Sequence, residues 1–155
     1  MTRVLGIVPA RGGSKRVAKK NARLLGGKPL VSWAVEAANA AATLTRVVLS
    51  SDDPDLLAMA TGRVSPLPRP NALSTDTAPA ISYVRHAVQV LGEAGEATFD
   101  AVAIVQPSSP FTSPGDIDAV VSLLLSSGAD SAVSVQQIEH AIHPLKLKRM
   151  EGTLL

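Results

Sequence analysis

The stretch "RVLGIVPARGGSKR", residues 3–16, joins a nearly unbroken apolar run to a loop of glycine and basic side chains. Gly6 and Pro9 interrupt the run, and charge follows it, so it reads as a buried first strand rather than the core of a signal peptide. Three later runs, "TRVVLSS" (45–51), "FDAVAIVQ" (99–106) and "DSAVSVQQ" (130–137), are also almost continuously apolar. That pattern suits strands covered on both faces.

Helical spacing fills the intervals. Leu30, Trp33, Ala34, Ala37 and Ala41 share one predicted face; Ile81, Val84, Val88 and Leu91 share a second; Ile117, Val120, Val121, Leu124 and Leu125 share a third. A shorter helix after Pro54 carries Leu56, Leu57 and Ala60. The predicted order is strand, helix, strand, helix, helix, strand, helix, strand. Such alternation implies a layered α/β fold with a mostly parallel sheet. No repeat or long linker divides residues 1–155, which are expected to form a single domain. The stretch 137–155 has no clear pattern.

A net charge of +2 and only four aromatic residues argue against duplex binding and against a base-stacking platform, so no nucleic-acid partner is expected. The chain contains no cysteine, which excludes disulfides, thiolate zinc sites and a cysteine nucleophile. No apolar stretch is long enough to cross a bilayer as a helix, and the expected location is cytoplasmic, with no membrane partner.

Ligands of parallel α/β sheets collect at the carboxyl ends of the strands. The loop after the first strand matches neither the P-loop nor the dinucleotide fingerprint. Its physics is similar, however. Gly12 and Gly13 allow close backbone approach to a ligand, while Arg11, Lys15, Arg16, Lys19 and Lys20 concentrate positive charge. A triphosphate is the ligand such a loop suits; a merely solvated basic loop is the alternative.

The loop "PARGGSKR…KKN" resembles the signature loop of the acylneuraminate cytidylyltransferases, the CMP-sialic acid synthetases. The likeness continues in order through "KPLVSWAVEAA", "VVLSSDD", "RPNALSTDTAPAISYVRHAV", "VQPSSPF" and "EHAIHPLK", from about Arg3 to about Lys146. It implies a three-layer, Rossmann-like nucleotidyltransferase fold. It also implies transfer of CMP from CTP to the anomeric hydroxyl of a nine-carbon 2-keto sugar acid, with Mg²⁺ and release of pyrophosphate.

By that resemblance, Ala10, Arg11, Gly12, Gly13, Ser14, Lys15, Lys20 and Asn21 cradle the nucleotide, and Arg69 and Ala78 meet its cytosine and ribose. Lys20 is expected to stabilise the α-phosphate and departing pyrophosphate, with Arg11 and Asn21 beside it. Gln106, Ser108, Ser109 and Lys146 are expected near the sugar acid. No metal ligand is assigned. Asp52 and Asp53 read better as structural residues, with Asp53 an N-cap before Pro54; Asp76 organises its segment or caps the next helix, and Asp116 is a cap. His140 and His143 have metal-like spacing but no third ligand, and His86 reads as a helix residue.

The sequence departs from the family pattern at Thr112, where relatives carry a basic residue, and it contains no aspartate after Asp130. The resemblance therefore implies a chain lacking the family's C-terminal dimerisation arm, its last strand and its metal-binding aspartates. Relatives are usually homodimeric. Two alternatives stand beside the enzyme: a truncated, non-catalytic CTP-binding domain, and a nucleotidyltransferase for another sugar acceptor.

Overall fold

A computed structural model describes residues 2–14 and 17–135. Strand β1 (Val4–Pro9) leads through the basic loop and a 3₁₀ turn at Lys20–Ala22 to a small hairpin, β2 (Leu24–Leu25) and β3 (Lys28–Pro29). Helix α1 (Leu30–Ala40), strand β4 (Arg46–Ser51), helix α2 (Pro54–Leu57) and strand β5 (Val64–Pro68) follow. After a 3₁₀ turn at Asn71–Leu73 come helix α3 (Ala80–Glu93), strand β6 (Ala101–Ile104) and helix α4 (Pro114–Ser127).

The main sheet has the order β5-β4-β1-β6, and all three pairings are parallel. Side chains of β1 alternate between two apolar layers. Val4 and Val8 pack with α1, α2 and α4 residues, while Leu5 and Ile7 pack with Ala87 and Leu91 of α3. The result is helix, sheet, helix. Complete burial of such a branched side chain contributes about 1.5–3 kcal/mol, so this alternation dominates the stability of the sheet. At Gly6, an added Cβ would stand 2.7 Å from Leu44 Cδ1, so the small residue admits that buried leucine.

Two polar devices fasten the layers. Arg63 donates to the Ala38, Asn39, Ala41 and Leu44 carbonyl oxygens, closing the end of α1. Asp118 of α4 accepts from Ala42 N, Thr43 N and Thr43 Oγ1 at 3.1, 2.8 and 2.6 Å. Asp53 caps α2 by accepting from Asp55 N at 2.9 Å, with Pro54 opening the helix. Asp116 completes a capping box whose N-cap is Ser113, so it is a capping partner rather than the cap itself.

Several sequence expectations need correction. The strand Val64–Pro68 was not expected, because Pro66 and Pro68 break its pattern; it lies at the sheet edge, where missing N–H donors are tolerated. Residues 131–135 of the expected fourth strand form no regular structure, and 136–137 lie outside the described residues. Finally, the buried side of α3 is rotated: Tyr83, Val84, Ala87, Val90 and Leu91 meet the sheet, while Ile81 and Val88 are exposed. Likewise, Leu125 of α4 is exposed, and α1 buries Val31, Val35 and Ala38 beside Ala34 and Ala37.

Candidate functional site

The chain runs from β1 to β4 and β5 on one side, then returns to place β6 on the other side of β1. The crevice of a parallel sheet opens where the order reverses in this way, beyond the carboxyl ends of the diverging strands. A cavity of about 130 Å³ lies there, lined by Pro9, Arg11, Ser14, Lys20, Asn21, Arg69, Gln106, Pro107 and Ser108.

The loop after β1 is fastened from below. Ala10 is fully buried and donates its N–H to Ser50 O at 2.9 Å, extending the β1–β4 ladder. The Gly12 N–H donates to Asp52 Oδ1 at 3.0 Å. A Cβ on Gly12 would stand 2.8 Å from Asp53 Oδ2 and 2.9 Å from its Cβ, whereas one on Gly13 would meet nothing within 4 Å. Gly12 therefore serves close packing on the β4 terminus, and its amide is committed to a carboxylate. Asp52 and Asp53 thus act on the loop and on α2, in line with their structural reading.

Charged groups are positioned by this frame. Arg11 forms an ion pair with Asp76 at 2.6 Å. This contact ties Asp76 to the glycine loop; α3 instead begins after Pro79 without a side-chain cap. Asn21 is 6% exposed and donates Nδ2 to the Arg11 carbonyl oxygen at 2.9 Å, closing the loop on itself. Lys19 takes a left-handed backbone conformation, with φ 50°, immediately before the turn that presents Lys20. Non-glycine residues adopt it at a cost of roughly 1–2 kcal/mol, and such strain concentrates at functional sites.

Arg69 approaches from the end of β5. It is buried, its N–H donates to Ser51 O at 2.7 Å, and its guanidinium carbon lies 5.3 Å from the Tyr83 ring centroid. Burial lowers its pKa, with Asp52 opposing that shift. Burial likewise pushes the Tyr83 phenol up, with the Arg69 charge opposing. Gln106 faces the loop from the end of β6, and its Oε1 accepts from Ser108 Oγ at 3.3 Å.

Of the expected site residues, Arg11, Ser14, Lys20, Asn21, Arg69, Gln106 and Ser108 therefore share one cavity. Ala10, Gly12, Gly13, Ala78 and Ser109 do not line it. The Ala78 N–H turns toward Thr75 Oγ1 at 3.1 Å, and Ser109 lines an apolar groove between β6 and α4. Lys15 and Lys146 lie outside the described residues, as do His140 and His143. Tyr83 falls off the predicted apolar stripe of α3, and the sequence distinguishes it only as the sole tyrosine. Chemically, three cations on a cramped, partly buried floor favour a polyanion.

A cytidylyltransferase family model matches residues 5–151. The CMP-N,N'-diacetyllegionaminic acid synthase of Legionella pneumophila is 36% identical over 138 residues, covering 88% of this chain and 59% of its own length. The N-acylneuraminate cytidylyltransferase of Escherichia coli is 32% identical, over 79% of this chain and 28% of its own. A pseudaminic acid cytidylyltransferase of Campylobacter jejuni is 37% identical, over 68% and 46%. The chain thus spans less than two thirds of the length of these curated relatives. A solved CMP:2-keto-3-deoxy-manno-octonic acid synthetase complexed with CTP shares the fold, with TM-score 0.62 at 20% identity over 83% of this chain and 49% of that one. A cytidylyltransferase from Leptospira borgpetersenii gives 0.59 at 17% identity, over 81% and 50%. On the match across residues 5–151, the chain belongs to the cytidylyltransferase family.

Proposed function

We propose that this chain binds CTP in the cavity beyond β1 and β6 and transfers CMP to a sialic-acid-like 2-keto sugar acid. The observation that carries the reading is the convergence of Arg11, Lys20 and Arg69 with Gln106 and Ser108 at one strand-end crevice. The names of the legionaminic, acylneuraminate and pseudaminic relatives support a sugar acid as the acceptor class.

In the reaction, the anomeric hydroxyl oxygen bonds to the α-phosphorus of CTP as the bond to the bridging oxygen breaks. Pyrophosphate departs and the hydroxyl proton passes to solvent. Negative charge grows on the departing oxygen, and fixed positive charge there lowers the barrier. Lys20 takes that role, Arg11 and Ser14 hold the phosphate chain, and Arg69 faces the nucleoside. Gln106 and Ser108, which line the cavity, attend the sugar acid. Asn21 braces the loop through the Arg11 carbonyl, keeping one amide N–H and its own oxygen for the ligand.

Mg²⁺ is the metal this family chemistry implies. The described residues do not fit a protein-held ion: no three acidic or histidine side chains cluster among them, and Asp52 and Asp53 are engaged by backbone N–H groups. No step is derived through the metal. The test is pyrophosphate release with CTP, Mg²⁺ and a panel of nine-carbon keto acids, alongside calorimetry of CTP. Release requiring both CTP and one acid is the expected result. Binding without release would restrict the chain to nucleotide binding, and no binding would overturn the reading.

A further inference from the structure

Arg69 is held at its backbone, while its buried Nε lacks a hydrogen-bond partner among the described residues. Its N–H continues the β4–β5 ladder through Ser51 O, and the residue is 7% exposed. Asp52 acts on the guanidinium through space, yet that carboxylate accepts from the Gly12 N–H. Leaving a buried, charged donor unsatisfied is costly, so an acceptor is expected to arrive with the ligand. The Tyr83 ring stands 5.3 Å from the guanidinium carbon and is itself packed in the α3 layer with Leu5, Ile7 and Leu67. That spacing lies within cation–π range.

We propose that Tyr83 is a positioning residue: its ring carries the Arg69 guanidinium and presents its donors to a carbonyl or hydroxyl acceptor on the nucleoside part of CTP. The inference rests on the nucleotide reading above and adds a residue that touches no ligand. The ring, not the hydroxyl, does this work. A phenol is neutral at physiological pH, and burial moves its pKa further up, so the ring contributes a π face without charge.

Two substitutions separate ring from bulk. Tyr83→Phe should bind CTP within twofold of wild type by calorimetry, whereas Tyr83→Leu should raise the Kd by about 3–10-fold, the scale of a partly desolvated cation–π contact. In an Arg69→Ala background, Tyr83→Leu should add nothing, which a general packing defect would not reproduce. Should Tyr83→Leu fail to fold, the wild-type chain still decides. Before CTP is added, ¹⁵N relaxation should show the Arg69 Nε–H as rigid as the backbone, and a mobile one overturns the proposal. If CTP binds but the Leu and Phe variants match, or the Leu loss persists without Arg69, this proposal falls alone. If wild type binds no CTP, the nucleotide reading falls with it.

Discussion

The Arg11 guanidinium lies 2.6 Å from the Asp76 carboxylate, joining the glycine loop after β1 to the segment ahead of α3. Arg11 lines the cavity and Asp76 does not, so the two charges have unequal roles. Both side chains are about a third exposed, which limits the pair to roughly 1 kcal/mol or less. Asp76→Arg and Arg11→Asp should each lower the thermal midpoint by about 1–4 °C, and the double swap should restore it. CTP affinity should remain down at least tenfold in the swap, because the positive charge has left the cavity. Calorimetry and a melting curve on the same samples check both halves.

Lys20→Ala should leave the fold and melting temperature unchanged but lower the rate of pyrophosphate release by about 10²–10³-fold, the scale for removing one donor from a developing oxyanion. Continuous pyrophosphate detection at saturating CTP measures it. An unchanged rate would remove Lys20 from its assigned role.

Gly12 and Gly13 should respond in opposite ways. Gly12→Ala forces its Cβ against Asp53 and strains the Gly12–Asp52 bond, costing about 1–3 kcal/mol and several degrees of melting temperature. Gly13→Ala meets open space and should melt with the wild type; any effect should be confined to CTP affinity.

Asp118→Asn should lower the melting temperature by about 2–4 °C at pH 7, equivalent to roughly 1 kcal/mol, since the amide keeps only one of the two oxygens that hold the α1–β4 turn from a half-buried position. Hydrogen bonds from the Thr43 hydroxyl and then the Thr43 N–H hold the folded pKa below the ordinary carboxylate value of 3.8. A depressed folded pKa gives stability that is complete above the unfolded value and lost as pH falls through the folded one. The gap between wild type and variant should thus be constant near neutrality and shrink below about pH 4. Melting curves from pH 7 to pH 2.5 test this.

Much of this chain was legible from its sequence because the informative signals are local. Continuous apolar runs named β1, β4 and β6; Asp53-Pro54 announced a capped helix; and charge beside glycine marked the loop that reaches the cavity. Those signals depend on residues adjacent in the chain, where backbone preference and short-range hydrogen bonding act. Tertiary structure alone decided the rest. Val64–Pro68 is a strand only because an edge tolerates proline, and residues 131–135 are not one despite their apolar pattern. Asp52 reaches Gly12, Asp76 reaches Arg11 and Tyr83 reaches Arg69 across 40, 65 and 14 residues, respectively. Such partners are chosen by where the sheet delivers its strand ends and by how α3 rotates against it. No local preference encodes that, because the energy that selects it is the packing of layers distant in sequence.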